Sequence, residues 1–512
     1  MRSKTLLAVA LLALLVIGCS KDDALNQIIE PTQSTLQEPM SKAEINAFIK
    51  QSLEKNEVFR WEKASDFMLW SAIVQSDSIV AVGYQAPGTT NIKEKMHQIN
   101  IQDDAWKQVK TQIIDLIVSE TNNAFPSENY KAEDLLVFEE ELILPVIDIK
   151  LFDLDLISKL RAMPEVRYVE PMGYIMEEIR DRSDSGCNVG PAGNLTSADY
   201  TTISPNVKVP WNFYNAGIPS AWSRSTGAGI TISVIDTGTS PGQENLGSAF
   251  NSGYSQGRFI QRTGTYVSSW WWWANPDGPD DQCGHGTQMA GLATAPRGND
   301  GNSVGVAYNS NLLAIRACQD VVILGSNESR GVSDALTIAG GRSDVKVISM
   351  SIGSVFWFNR IADAIYYAYG NGKMIIAAAG TSFEATSWYG VIFPAYMAET
   401  VAVTGIKEGS PMVKCNSCHS GSEVDFVAVM QRRNDDSRTS LTLAPSGNTP
   451  ARVGGSSAAT ATTAGIAALI WATNPSQSRS QVLQRMKNAS QFYPSRNSQF
   501  GWGTINAAAA VY

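Results

Sequence analysis

The chain has 512 residues, 44% of them hydrophobic and 17% charged, with a formal net charge of -9 at pH 7. That length exceeds one ordinary core, so two folded units joined by linkers are expected, and the apolar fraction excludes a largely disordered chain. The acidic balance, with no basic block, disfavours a nucleic-acid partner, which needs a concentrated basic face for the phosphate backbone.

Arg2 and Lys4 precede an apolar run, residues 6–17, that closes in Gly18 and Cys19. A basic end, a short apolar core and small residues at its close are secretory features, and the run falls short of the roughly 20 residues a bilayer crossing needs. Leu15-Val16-Ile17-Gly18-Cys19 resembles a bacterial lipobox. The resemblance implies residues 1–18 as a lipoprotein signal peptide, lipidation of Cys19, and residues 19–40 as a polar tether. The protein is then exported to the outer membrane or cell surface and meets a membrane only through its lipid anchor. Export permits disulfides. Beyond Cys19 stand Cys187, Cys283, Cys318, Cys415 and Cys418, an odd number, so at least one thiol is free, buried or paired to another chain.

Ser41-Lys42-Ala43-Glu44 has capping-box spacing, and Ile45, Phe48, Ile49 and Leu53 follow at helical intervals. Residues 78–85 read as a strand, 105–118 as a helix, 142–150 as a strand, 154–162 as a short helix and 166–170 as a strand. This alternation describes a small α/β domain over residues 41–178. Residues 179–208, rich in Asp, Ser, Gly, Asn and Pro, read as an exposed linker. Beyond it the chain turns rich in Gly, Ala, Ser and Thr. Apolar strands are expected at 230–235, 312–316, 345–350, 374–379 and 400–405, with helices at 331–339, 360–369 and 457–471. Continuous apolar strands separated by helices predict a mostly parallel sheet covered on both faces.

Three segments carry chemistry. Ile232-Ser233-Val234-Ile235-Asp236-Thr237-Gly238 ends an apolar strand in an acid; Cys283-Gly284-His285-Gly286-Thr287 sets a histidine at a helix start; Gly454-Gly455-Ser456-Ser457-Ala458-Ala459-Thr460 opens an alanine-rich helix with a serine. A weak nucleophile needs a base beside it and an orienting group behind the base. Ser457, His285 and Asp236 supply that triad, in the chain order Asp, His, Ser.

These motifs resemble those of the subtilisin-like serine peptidases, and Val209-Pro210-Trp211 and Gly503-Thr504-Ile505-Asn506-Ala507 extend the likeness over residues 209–512. The resemblance implies a three-layer α/β catalytic domain with a mostly parallel central sheet. It further implies a serine endopeptidase acting on protein or peptide substrates through an acyl-enzyme, with no cofactor required. Ser456 and Ala458 stand where threonine and methionine are usual, and Ala461-Thr462 replaces the familiar Pro-His pair. Thr381 stands where the family has the asparagine of the oxyanion hole, which it would form with the Ser457 amide. A catalytically impaired binding or scaffold protein on the same fold is therefore the alternative reading. Ser349, Ser351, Ile352 and Gly353 resemble the substrate-lining element, whose exposed backbone is expected to pair an extended peptide as an added strand, and Gly380 the opposite wall of the P1 pocket. Ile157-Ser158-Lys159-Leu160 and Pro164-Glu165-Val166-Arg167-Tyr168-Val169-Glu170 resemble the end of an inhibitory propeptide, which implies an intramolecular inhibitor removed by cleavage within 179–208.

The resemblance also implies a disulfide between Cys283 and Cys318. Cys415-Asn416-Ser417-Cys418-His419 formally matches a haem attachment motif, half a zinc site or a redox pair. A short local disulfide, or separate partners including Cys187, is preferred. Trp270 to Trp273 reads as a sticky surface loop or as a hydrophobic plug. Asp277, Asp280 and Asp281 offer hard oxygens for Ca²⁺ or form a solvated turn.

Overall fold

The computed structural model describes residues 38–55, 58–176, 186–268, 275–323, 325–381 and 390–512. Cys19 with its signal and most of the tether, and Trp270 to Trp273, lie outside the described residues. Three strands, β1 (Ile79–Tyr84), β2 (Val146–Lys150) and β3 (Val166–Pro171), form an antiparallel sheet in the order β2-β1-β3. Helices Lys42–Glu54, Asp66–Val74, Asp104–Ala124 and Leu154–Ala162 accompany it. The capping box forms: Ser41 Oγ accepts from the Glu44 amide, and the Glu44 carboxylate accepts from the Ser41 amide. Helix Asp66–Val74 has no counterpart in the sequence reading. Asp-Phe-Met-Leu-Trp-Ser-Ala-Ile-Val is apolar nearly all round and buries Met68, Leu69, Ala72 and Ile73, so no period of 3.6 shows.

From residue 186 the described chain is largely exposed or half-exposed up to residue 206 and is fastened to the large domain at a few points. Strands β4 (Tyr200–Ile203) and β5 (Val207–Pro210) pair antiparallel, and the fully buried Asp199 is held by Arg452 at 2.9 and 3.0 Å.

Next come β6 (Thr231–Asp236), β7 (Ile260–Gly264), β8 (Asn311–Arg316), β9 (Val345–Met350), β10 (Met374–Ala378), β11 (Thr400–Lys407) and β12 (Phe426–Gln431). They form a seven-stranded, wholly parallel sheet in the order β12-β11-β10-β9-β6-β8-β7. Successive side chains point to opposite faces. Ile232, Val234, Leu312 and Ala314 meet helices His285–Thr294 and Gly455–Ala472, whereas Ile235, Leu313 and Ile315 meet helices Ser326–Gly341 and Asn359–Gly370. The result is the three-layer α/β fold expected. Edge strands β7 and β12 were not expected, because Ile-Gln-Arg-Thr-Gly is polar and a short apolar run fixes no period.

The small domain shares one continuous core with the second helical layer, where Phe59 packs edge-on to Phe356. Its carboxylates enter that layer. Arg360, fully buried, donates to Asp148 (2.7 Å) and Glu141 (2.6 Å), and Arg330 donates to Asp148 (2.8 Å). Glu170 accepts from the amides of Asn359 (3.0 Å) and Arg360 (3.1 Å), satisfying donors that the start of helix Asn359–Gly370 leaves open. Burial, then the charge of Glu62, pushes the Glu170 carboxyl up to about 8. Removing one partner of such a buried network costs roughly 3–5 kcal/mol, because it strands the other charge.

Candidate active site

Strand β6 is flanked by β8 on one side and β9 on the other, and the connections diverge there. In open parallel sheets the crevice beyond the carboxyl ends of such strands is where ligands bind. Asp236 ends β6, Ser351 follows β9 and Thr381 follows β10, so the sheet delivers all three to one edge.

His285 opens helix His285–Thr294 after Gly284, whose φ of 95° suits glycine. A Cβ on Gly286 would stand 2.2 Å from the Gly238 carbonyl oxygen, so the histidine turn and the Asp-Thr-Gly turn touch backbone to backbone. His285 Nδ1 lies 2.8 Å from Asp236 Oδ1, which also accepts from the Thr237 amide at 2.8 Å. Asp236 Oδ2 is buried with no hydrogen-bond partner among the described residues. Burial pulls the imidazole pKa down, but the charge of Asp236, its hydrogen bond and the charge of Asp281 together outweigh it, and His285 ends above its ordinary value.

Helix Gly455–Ala472 is buried from Gly455 to Trp471 except at Ser457, which opens onto the crevice in the first turn. It packs against the histidine helix. Ser457 Oγ points to the Ser351 carbonyl at 3.4 Å, and Ser351 Oγ donates back to the Ser457 carbonyl at 3.0 Å. The Ser457 hydroxyl is thus engaged with Ser351 rather than bonded to the imidazole. Thr381 Oγ1 accepts from the Ser456 amide at 3.2 Å and lies 2.7 Å from Ser456 Oγ, placing a hydroxyl beside the first turn of that helix.

The peptide-lining segment is less open than expected. Ser349 and Ile352 are buried, and the Gly353 amide donates to Val321 (3.2 Å) while its carbonyl accepts from Ile323 (2.9 Å). The edge expected to pair an extended peptide is thus taken at Gly353 by the chain's own residues 321–323. Gly380 accepts at its carbonyl from the His419 amide (3.0 Å), with the His419 ring against its Cα face.

The disulfide between Cys283 and Cys318 is not formed. Cys283 pairs with Cys187, and Cys318 is a buried free thiol. The Cys187 bond brings residues 186–188 onto the histidine loop: the Asn188 amide donates to the Cys283 carbonyl (2.8 Å), and a Cβ on Gly186 would lie 3.2 Å from His285 Cδ2. Nothing in the spacing of five cysteines distinguishes that partner. Cys415 pairs with Cys418 in the short local disulfide, leaving neither thiolate for haem or zinc. The three aspartates face separate partners. Asp280 meets Arg262 at 2.8 Å, Asp277 meets Arg316 at 3.7 Å, and Asp281 takes amides and hydroxyls around His285. No cluster of three or more metal-ligating side chains occurs among the described residues.

Residues 227–503 match the subtilase family. Thermitase of Thermoactinomyces vulgaris is 27% identical over 57% of this chain and 92% of its own length. An alkaline protease of Alkalihalobacillus alcalophilus is 26% identical over 79% of this chain and 89% of its own, and subtilisin Savinase of Lederbergia lenta is 28% identical over 59% and 98%. With the parallel sheet, the Asp236–His285 contact and a family match across more than half its length, this chain belongs to the subtilase family of serine proteases.

Proposed function

We propose that the protein is a serine endopeptidase that cuts proteins or peptides through an acyl-enzyme on Ser457. The observation that carries this reading is the 2.8 Å contact of His285 Nδ1 with Asp236, facing a helix whose one unburied position in its first four turns is Ser457. Asp236 fixes the imidazole tautomer, so that Nε2 accepts the Ser457 proton as Oγ adds to the peptide carbonyl. Protonated His285 then gives that proton to the leaving amine, and water releases the acyl group by the same route. The Ser457 amide, at a helix start, and the Thr381 hydroxyl donate to the tetrahedral oxyanion. Gly353 and Gly380 line the P1 pocket on this reading, and Ile392, whose Cδ1 would lie 2.8 Å from a Cβ on Gly353, supports an apolar P1 residue.

The chain is made, on this reading, as an exported precursor lipidated at Cys19, with the small N-terminal domain as an intramolecular inhibitor. The buried ion network and the Glu170 cap support tight docking of that domain. No cofactor takes part in the chemistry. The second reading, a scaffold that has lost turnover, is favoured by the engagement of Thr381 with Ser456 and of Ser457 with Ser351. Processed protein is expected to hydrolyse casein, and Ser457→Ala to lower that rate at least about 10³-fold. Hydrolysis of small esters without casein moves the activity to an esterase, and hydrolysis of neither supports the scaffold.

A further inference from the structure

Asp281 stands four residues before His285 and is tied to both halves of the acid–base pair. Its Oδ1 accepts from the Thr237 hydroxyl (2.9 Å) and from the amides of Cys283 (3.0 Å) and Gly284 (2.7 Å). Its Oδ2 accepts from the Thr287 amide (2.9 Å) and the Thr287 hydroxyl (2.6 Å). Thr237 Oγ1 in turn accepts from the Gly286 amide at 2.8 Å. Five donors thus meet a carboxylate of about four lone-pair sites, three of them sharing Oδ1, so no acceptor capacity is left over. They come from the residue after Asp236 and from residues on both sides of His285. One side chain therefore fastens the end of β6 to the first turn of the histidine helix, where the exposed amides favour a negative charge.

We propose that Asp281 is a positioning residue for the proton transfer, one that sets the distance and angle between Asp236 and His285; the inference rests on the serine-protease reading of that pair. It acts through Thr237 and the histidine turn and does not touch the reacting atoms. Neighbouring Asp280 is bound to Arg262 and takes no part. The charged groups facing His285 are Asp236 from β6 and Asp281 from its own loop. The Cys318 thiol, after β8 and near Asp236, is kept neutral by burial, which pushes it well above its ordinary value.

Asp281→Asn keeps the size, removes the charge and turns an amide NH₂ toward backbone donors. The chain has three histidines, so ¹⁵N-histidine spectra resolve His285 readily, and in the Ser457→Ala background the readout needs no turnover. The expected result is a fall in the His285 pKa and loss of the hydrogen-bonded Nδ1 proton signal. In the protein that retains Ser457, kcat falls about ten- to a hundredfold with KM nearly unchanged, and the acid limb of the pH profile moves down with the imidazole. Asp280→Asn leaves all of these unchanged. An Asp281→Asn protein that folds but keeps the His285 pKa and the Nδ1 signal overturns the proposal, even if kcat falls. Should that variant not fold, Thr237→Val cuts the link from the other side; loss of the Nδ1 signal supports the proposal and its retention overturns it. Spectral changes in a protein that never turns over would instead count against the protease reading alone.

Discussion

Asp236 is held at one oxygen by the Thr237 amide and His285, and the turns that carry the pair are tied together by hydroxyls, amides and the Asp281 carboxylate, whereas Ser457 and Thr381 are engaged with their own neighbours, Ser351 and Ser456. The groove beside the serine repeats the contrast, since Gly353 is already paired to residues 321–323. The difference locates the reorganisation in this site. On the proposed reading, the Asp236–His285 pair is set by folding itself, while Ser457 and Thr381 must turn when a peptide carbonyl arrives. Preorganised donors are the larger source of rate in acyl transfer, so the second half is where this chain has most to gain or lose.

The comparison can be broken from either side. Asp236→Asn attacks the braced half and carries the largest expected effect, a loss of about 10⁴-fold in kcat with the fold intact, because the imidazole then presents the wrong tautomer to Ser457. The same half sets the pH dependence. Only neutral imidazole accepts the serine proton, so activity falls as pH drops through the His285 pKa. Because that pKa is raised, the wild-type acid limb in kcat/KM should lie above the ordinary imidazole value of about 6.5. A limb below that value contradicts the electrostatic account. Thr381→Val attacks the adaptable half by deleting one hydroxyl at constant shape. A loss of about 10²-fold in kcat with little change in KM is expected if Thr381 serves the oxyanion, and a loss under threefold shows that the Ser457 amide acts without it.

The fold of the large domain was legible because its inner strands are continuous apolar runs and its longest helix is an unbroken run of small and apolar residues. The catalytic candidates were legible for a different reason: each sits in a glycine-flanked turn whose close approach, Gly286 on Gly238, leaves a trace in the sequence. What stayed hidden depends on distance along the chain. The Cys187–Cys283 bond spans 96 residues, and its partner is chosen by the path of a segment that looks like any polar linker. Asp281 was legible only as a candidate Ca²⁺ ligand or an acid in a turn, because three of its five donors are backbone amides, which every sequence has. Gly353 looked free for a peptide because pairing by residues 321–323 is likewise a backbone affair.

Covalent trapping tests the central claim most directly. Processed protein treated with a fluorophosphonate and mapped by mass spectrometry should carry a single phosphonyl group on Ser457, with none on the Ser457→Ala variant. A folded, processed preparation that leaves Ser457 unmodified while a peptide substrate is cleaved, or that neither labels nor cleaves, contradicts the account.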